Sequence, residues 1–393
     1  MIPFKRADRL GNLPPYLFAE IDRLKEAVRA RGMDLVDLGV GDPDLPTPAP
    51  VLDRLRAASA NQAYHRYPSY AGLPALRQRV ARFYAERFNV SVDPDREVLV
   101  LIGSKEGIGH LPLAVVNPLE RVLVPNPGYP VYRSGTLFAG GVPVDLELKA
   151  SNNFLPDPAD IERACPAKLL FLNYPNNPTS ATADVSFYRE MVQLAERHRF
   201  WIASDLAYSE ITFDGYRAPS FLEAPGAKNV GIEFLSLSKT YNMTGWRVGA
   251  AVGNADLLSA LGAVKSNLDS GTNSFIQEAA IAALDLPESG HLGPLLAVYK
   301  ERRDLVVEAL KKMGIPAAVP RSTIYVWAPV PAGTDSVTFC RGMLEQAGIV
   351  VTPGVGFGSA GEGYFRISLT TPTDRLREAV RRMSEMTAWT GSA

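Results

Sequence analysis

A chain of 393 residues, 46% hydrophobic and 21% charged, is composed like an ordinary globular protein and is long enough for two domains. Its formal net charge of −1 excludes recognition of nucleic acid or an acidic membrane by bulk electrostatics. Its two cysteines, Cys165 and Cys340, lack the spacing of a metal site, the first residues contain no uninterrupted apolar run of a secretory signal, and no apolar stretch reaches membrane-spanning length. The expectation is a cytoplasmic protein with reduced thiols and no metal.

Short β-rich runs alternate with longer helical patterns, which predicts an α/β fold with a mostly parallel sheet. In chain order the predicted strands are Glu97–Ile102, Arg121–Val124, Lys168–Leu172, Phe200–Ala203 and Glu233–Leu237. Between the third and fourth of them, apolar residues at Val185, Tyr188, Met191, Val192 and Ala195 predict an amphipathic helix over Val185–His198. Near Leu284 the pattern changes. Chain-breaking residues precede a long helix over Leu296–Met313, a strand around Ile324–Trp327 and a helix over Ser336–Ala347. A glycine-rich loop (Gly354–Gly363), a strand (Tyr364–Leu369) and a last helix complete this part. The predicted division is an N-terminal arm and part of a small domain in 1–45, a large domain in 46–284, and a C-terminal small domain in 285–393.

Polar clusters follow the strand runs: Gly103-Ser104-Lys105, Tyr129, Asn176-Asn177, Asp205 with Tyr208, and Ser238-Lys239. In an open α/β sheet ligands bind beyond the carboxyl ends of the strands, so five segments distant in sequence converge on one crevice. Each has a plain structural reading. Gly103-Ser104-Lys105 opens a helix, where free N–H groups favour a phosphate or simply a serine cap. Asn176 to Thr179 forms a turn, and Asp205 at the end of an apolar run needs a cationic or hydrogen-bonding partner. A lysine is ordinarily solvated surface, but Lys239 lies among small hydroxylic residues at a predicted sheet edge, where a nucleophilic amine is useful. Arg247 is a surface ion pair or a phosphate clamp, and Arg366, inside a short strand, calls for a bidentate carboxylate.

As a set, a phosphate site, a reactive lysine, a carboxylate, a phenol and a stacking aromatic, Tyr129, meet the requirements of pyridoxal phosphate. The chain resembles the class I/II aminotransferases of the aspartate aminotransferase superfamily, fold type I. The resemblance is carried by LGVGDPDLPTP (Leu38–Pro48), YPSYAGLPALR (Tyr67–Arg77), NPGYPVY (Asn126–Tyr132), NYPNNPT (Asn173–Thr179), SDLAYSEI (Ser204–Ile211) and most specifically SLSKTYNMTGWRVG (Ser236–Gly249). It implies a three-layer α/β/α large domain beside a smaller α/β domain, and a homodimer sharing its active sites. By that resemblance Lys239 is the Schiff-base lysine and proton carrier, Asp205 the partner of the pyridine nitrogen, and Asn177 and Tyr208 donors to the phenolic oxygen. Ser104, Lys105, Ser236, Ser238 and Arg247 surround the phosphate, Tyr67 reaches it from the other subunit, Arg366 holds the substrate carboxylate, and Gly41 approaches it with its backbone. Departures are Ser180 and Leu206, where the family usually has glycine and glutamate, and Ser270, where an asparagine is expected.

The run PPYLFAEIDRLK with Tyr16, together with GSKEGIGHL and YNMTGWR, resembles the LL-diaminopimelate aminotransferase subgroup, in which the counterpart of Tyr16 contacts substrate. Aspartate or alanine aminotransferase, and a C–S β-lyase of the same fold, are the alternatives. A non-catalytic regulator is disfavoured, because only about 40 residues precede the cofactor domain, too few for a DNA-binding module.

Overall fold

The computed structural model describes residues 5–11, 13, 17–286, 290 and 292–386. After a short strand β1 (Val36–Asp37), seven strands build one sheet: β2 (Val98–Leu101), β3 (Arg121–Asn126), β4 (Val142–Glu147), β5 (Leu169–Asn173), β6 (Trp201–Leu206), β7 (Gly231–Ser236) and β8 (Gly249–Gly253). Their order is β2-β8-β7-β6-β5-β3-β4, and only β8 runs antiparallel to its neighbours. Successive side chains of a strand point to opposite faces, and both faces are apolar. Leu170, Leu172 and Ile202 enter one core, while Leu169, Phe171 and Ala203 enter the other. A sheet buried on both sides must be covered by helices on both, which makes the large unit three layers.

Two strands of this sheet were not foreseen. β8 is rich in Gly and Ala, so it carries little β-propensity. Its small residues are required by contact: a Cβ on Gly249 would lie 2.7 Å from the Leu235 carbonyl and 3.0 Å from the Ser104 nitrogen. β4 is an edge strand, largely half-exposed or exposed, and lacks a continuous apolar run. β6 continues past Ala203 to Leu206, so Asp205 is part of the strand.

The second unit has its own core, with Val326, Phe365, Ile367, Met343 and Leu310 at its centre. It contains β9 (Tyr325–Pro329), β10 (Ile349–Val350), β11 (Thr352–Pro353) and β12 (Tyr364–Ser368), with an antiparallel order β11-β12-β9. Helices Leu292–Lys312, Ser336–Ala347 and Thr373–Glu385 pack with it. β1 pairs in parallel with β10, and Val36 and Leu38 enter this core, so the N-terminal segment packs with the C-terminal third. The glycine-rich stretch is not a free loop; it forms two 3₁₀ turns, Gly354–Phe357 and Ser359–Gly361.

Chain direction creates the crevice. From β3 the chain places β4 on one side and then returns to place β5 on the other. The segments leaving the carboxyl ends of β3 and β5 therefore diverge, which opens a cleft at that point.

β7, inside the sheet, carries a buried acid. Glu233 is fully buried and accepts from Ser220 Oγ at 2.5 Å, Phe221 N at 2.8 Å, and the Ser204 and Tyr84 hydroxyls at 3.1 Å. Desolvation outweighs these donors and pushes its pKa up to about 7. An unfolded glutamate titrates near about 4.3, so over the intervening window the folded chain holds a proton that the unfolded chain has lost. Its contribution to stability therefore falls as pH rises through that window. Urea unfolding across pH 5 to 8 is expected to show a loss of up to about 3 kcal/mol from this group. Glu233→Gln, whose amide can use the same hydroxyl partners, flattens that slope; an unchanged slope contradicts the assignment.

Candidate active site

β7 ends on Ser236, whose side chain caps a single helical turn, Leu237–Thr240, by accepting from Ser238 N at 3.3 Å. That turn presents Lys239, which is half-buried and donates from Nζ to the Gly41 carbonyl at 2.6 Å. The expected sheet-edge location is corrected: β7 lies inside the sheet between β8 and β6, so the lysine stands over its interior. The loop carrying Gly41 is tied down along its length. Thr47 Oγ1 donates to the Asn242 carbonyl at 2.7 Å, Thr370 Oγ1 to the Val40 carbonyl at 2.8 Å, and the buried Arg302 grips Asp44 at 2.6 and 2.9 Å.

One strand over, Asp205 sits at the end of β6 with 6% exposure. Its Oδ2 accepts from the Tyr132 hydroxyl at 2.8 Å, and its Oδ1 is buried with no hydrogen-bond partner. Burial pushes this carboxyl up to about 6, against the Tyr132 hydrogen bond and the Ala207 amide, which pull it down. Tyr132 stacks on Phe171 with centroids 4.9 Å apart, and Tyr129 meets Tyr132 edge-on at 5.8 Å. Asn173, at the end of β5, donates to the Asp205 carbonyl at 2.8 Å and accepts from Asn177 N at 2.8 Å. It thus fastens the Asn176–Thr179 turn to the neighbouring strand.

From the second unit, β12 sends Arg366 to the same place. The guanidinium, 4% exposed, donates to Asn177 Oδ1 at 2.8 Å and to the Gly39 carbonyl at 2.7 Å. Its Cζ lies 4.1 Å from the Tyr325 ring centroid and 4.6 Å from that of Phe357. Burial lowers its pKa, and its Nε is buried without a partner. Among the described residues its side-chain partners are neutral oxygens and aromatic faces. Tyr208, which follows β6, is buried against the second core, and its hydroxyl is 3.1 Å from that of Tyr325. Desolvation and the neighbouring Tyr325 raise the Tyr208 pKa well above the ordinary phenol value.

The mouth on the other side of Lys239 is cationic. Helix Ser104–Val115 begins after Gly103, at φ 78°, with no side-chain cap on its first amides. Arg247 is exposed, and a Cβ on Gly103 would fall 2.2 Å from its guanidinium, so the helix start and the arginine are in contact. Lys105 is exposed with its ammonium 5.9 Å from the Tyr129 ring, while Ser236 and Ser238 are buried. Further along this helix Glu106 and His110, with Asp269 from the end of helix Ala255–Leu268, bring ligand-type atoms within 4.8 Å of one another. Lys265 Nζ stands at 3.3 Å from Glu106 and 3.7 Å from Asp269 and supplies the cation of that group.

Most of the predicted residues thus gather around one cleft: Gly41, Ser104, Lys105, Tyr129, Asn177, Asp205, Tyr208, Ser236, Ser238, Lys239, Arg247 and Arg366. Tyr67 does not join them within a single chain, being 90% exposed. Tyr16 lies outside the described residues. Three residues of the site were missed: Tyr132, Tyr325 and Asn173. Tyr132 falls one helical turn beyond Tyr129, a spacing that offered a signal; Tyr325 reads as an ordinary strand aromatic.

These residues fit pyridoxal phosphate. A partnerless buried carboxylate oxygen on Asp205 suits a protonated ring nitrogen, and uncapped helix amides beside Arg247 and Lys105 suit a phosphate. A half-buried amine on Lys239 suits an aldehyde.

Comparison with known proteins agrees. Residues 33–383 match the family described as aminotransferase class I and II. The chain is 55% identical over 382 residues to the LL-diaminopimelate aminotransferase of Desulforudis audaxviator, covering 97% of each. Substrate-bound BacF from Bacillus subtilis superposes with a TM-score of 0.90 at 38% identity, covering 98% of each chain. A double mutant of Thermus thermophilus aspartate aminotransferase gives 0.91 at 30% identity, covering 97% of this chain and 99% of its own. The chain belongs to the class I and II aminotransferases, enzymes that use pyridoxal phosphate to move an amino group between an amino acid and a 2-oxo acid.

Proposed function

We propose that the amino donor is LL-diaminopimelate, that 2-oxoglutarate is its acceptor, and that the chain works as a cytoplasmic homodimer. The substrate reading is supported by relatives of this name that are 52–55% identical over nearly the full length. The observation that carries aminotransfer at this cleft is Arg366. A buried guanidinium without a carboxylate counter-ion is costly, and an α-carboxylate from an amino acid or oxo acid supplies what it lacks.

In this reading the residues divide the work. Ser104, Lys105, Ser236, Ser238 and Arg247 bind the phosphate, with Tyr67 of a second copy reaching it. Tyr129 would pack against the ring, Asp205 would hold the charge of its nitrogen, and Asn177 and Tyr208 would donate to its phenolic oxygen. Bound there, pyridoxal phosphate withdraws electrons from the substrate carbon bearing the amino group. A cation beside Asp205 offsets its desolvation, so the carboxyl is ionised across the neutral range. Lys239 would anchor the cofactor, and its amine is the group that would move the proton at the substrate α-carbon. Arg366 orients the carboxylate, Gly41 approaches it with its backbone, and Tyr16 closes over the substrate. The Gly41 carbonyl, at 2.6 Å, is what keeps the Lys239 amine aimed between strands. We take the cofactor domain as 46–284 and the small domain as 285–393 joined by part of 1–45.

Two measurements follow. Purified protein reconstituted with pyridoxal phosphate is expected to be yellow, and Lys239→Ala to lose that absorbance and roughly ten-thousand-fold of its rate. With 2-oxoglutarate as acceptor, kcat/KM for LL-diaminopimelate should exceed that for aspartate or alanine by about a hundred-fold or more. A wild type that stays colourless refutes the cofactor site. Preferred turnover of aspartate or alanine refutes the substrate, and release of pyruvate and ammonia from a cysteine conjugate without any acceptor refutes transamination.

A further inference from the structure

We propose that Tyr325 is a positioning residue for aminotransfer: its hydroxyl sets the Tyr208 hydroxyl as a donor, and its ring is the shelf on which the Arg366 guanidinium rests. The inference rests on the roles given above to Tyr208 and Arg366.

Tyr325 opens β9 and is 3% exposed. Its two functional contacts are independent. The hydroxyl is 3.1 Å from that of Tyr208, with the rings edge-on at 72°. The centroid of its ring lies 4.1 Å from the Arg366 guanidinium carbon, and that of Phe357 lies 4.6 Å from the same atom. A phenol has one proton to give. If Tyr208 gives its proton to Tyr325, none remains for another acceptor in the cleft. In this structure Tyr208 is the donor and Tyr325 the acceptor; rotation of the two hydroxyl hydrogens reverses the pair, so that Tyr325 donates to Tyr208 while Tyr208 donates onward. A hydroxyl that accepts a hydrogen bond is the stronger donor. For Arg366, two aromatic faces replace the missing counter-ion while leaving the guanidinium edge available for a carboxylate.

The surrounding chain is arranged to hold this one side chain. The Tyr325 amide donates to Thr323 Oγ1 at 3.2 Å, and its carbonyl accepts from Ser180 Oγ at 2.9 Å. Ser180 and Thr323 also bond each other at 2.7 Å. Both have positive φ, 59° and 74°, a strained region for residues with a Cβ, so these hydroxyls are held at a conformational cost. Ser180 is the position at which the resemblance leads one to expect glycine; here its hydroxyl fastens the Asn177 turn to β9. On the other side Gly41 is obligatory, since a Cβ there would lie 2.0 Å from the Tyr325 oxygen. The tyrosine therefore reaches the loop whose carbonyls hold Lys239 and Arg366.

The test uses the reconstituted holoenzyme. Tyr325→Phe keeps the ring and removes the hydroxyl. The midpoint of the pH-dependent visible absorbance change of the bound cofactor is expected to rise by about half a unit or more. kcat should fall several-fold while KM for the amino donor stays within about two-fold. Tyr325→Leu removes the shelf, and KM for the donor should rise about ten-fold, with an equal loss of affinity for an unreactive dicarboxylate inhibitor. An unchanged absorbance midpoint in Tyr325→Phe overturns the hydroxyl role, and undiminished inhibitor binding in Tyr325→Leu overturns the shelf. A wild type without visible absorbance sinks the underlying cofactor reading. A yellow wild type whose midpoint is matched by Tyr325→Phe sinks only the role given to Tyr325.

Discussion

Asp205 is a carboxylate almost wholly withdrawn from water, at the carboxyl end of an interior parallel strand, with one oxygen bonded to Tyr132 and the other bonded to nothing. Burying such a group is tolerable only where a positive partner or several donors compensate it. The fold supplies the Tyr132 hydroxyl and the Ala207 amide but no cation, and burial still raises the carboxyl to about 6. Much of the surrounding structure serves to hold this half-satisfied state. Tyr132 is stacked on Phe171, Asn173 fastens the Asp205 backbone to β5, and β7 keeps Lys239 one strand away. Stability given up here is consistent with a site built to receive a cationic ring, because the unmet interaction becomes binding energy when the ring arrives.

The opposite charge comes from the other core. Arg366 is buried on β12 and lacks an acidic partner, so each unit contributes one under-compensated ion to the cleft. The loop from Gly39 to Asp44 joins them. Its carbonyls take the Lys239 ammonium and the Arg366 guanidinium, and its Asp44 is gripped by Arg302 from the long helix. A shift of this loop would disturb the hydrogen-bond partners of Lys239 and Arg366 together.

Much of the site was legible in the amino-acid sequence because its members stand where strands end. Ser104, Asn177, Asp205 and Lys239 interrupt apolar runs, and polar residues at such places are conspicuous. The strands themselves were legible where β-branched and leucine side chains fill both faces. β8 was not, since Gly-Ala-Ala-Val-Gly is dictated by close approach of Gly249 to its neighbours rather than by strand propensity. Tyr132 and Tyr325 were missed for a different reason: an aromatic in an apolar pattern looks like core, and nothing local reveals that its hydroxyl meets Asp205 or Tyr208. The partner foreseen for Arg366 was a carboxylate. Within the chain it meets Asn177 and Gly39, 189 and 327 residues away in sequence, together with the ring faces of Tyr325 and Phe357.

The most direct test of this account is the stability that pyridoxal phosphate confers on the wild type and on Asp205→Asn, measured by thermal unfolding at pH 8. Asparagine is isosteric, can still accept from Tyr132, and carries no charge. The account predicts that Asp205→Asn without cofactor is at least as stable as the wild type, because a buried charge has been removed. It further predicts that the cofactor stabilises the variant by at least about 1.4 kcal/mol less, a ten-fold weaker affinity. Equal stabilisation of the two proteins would contradict it.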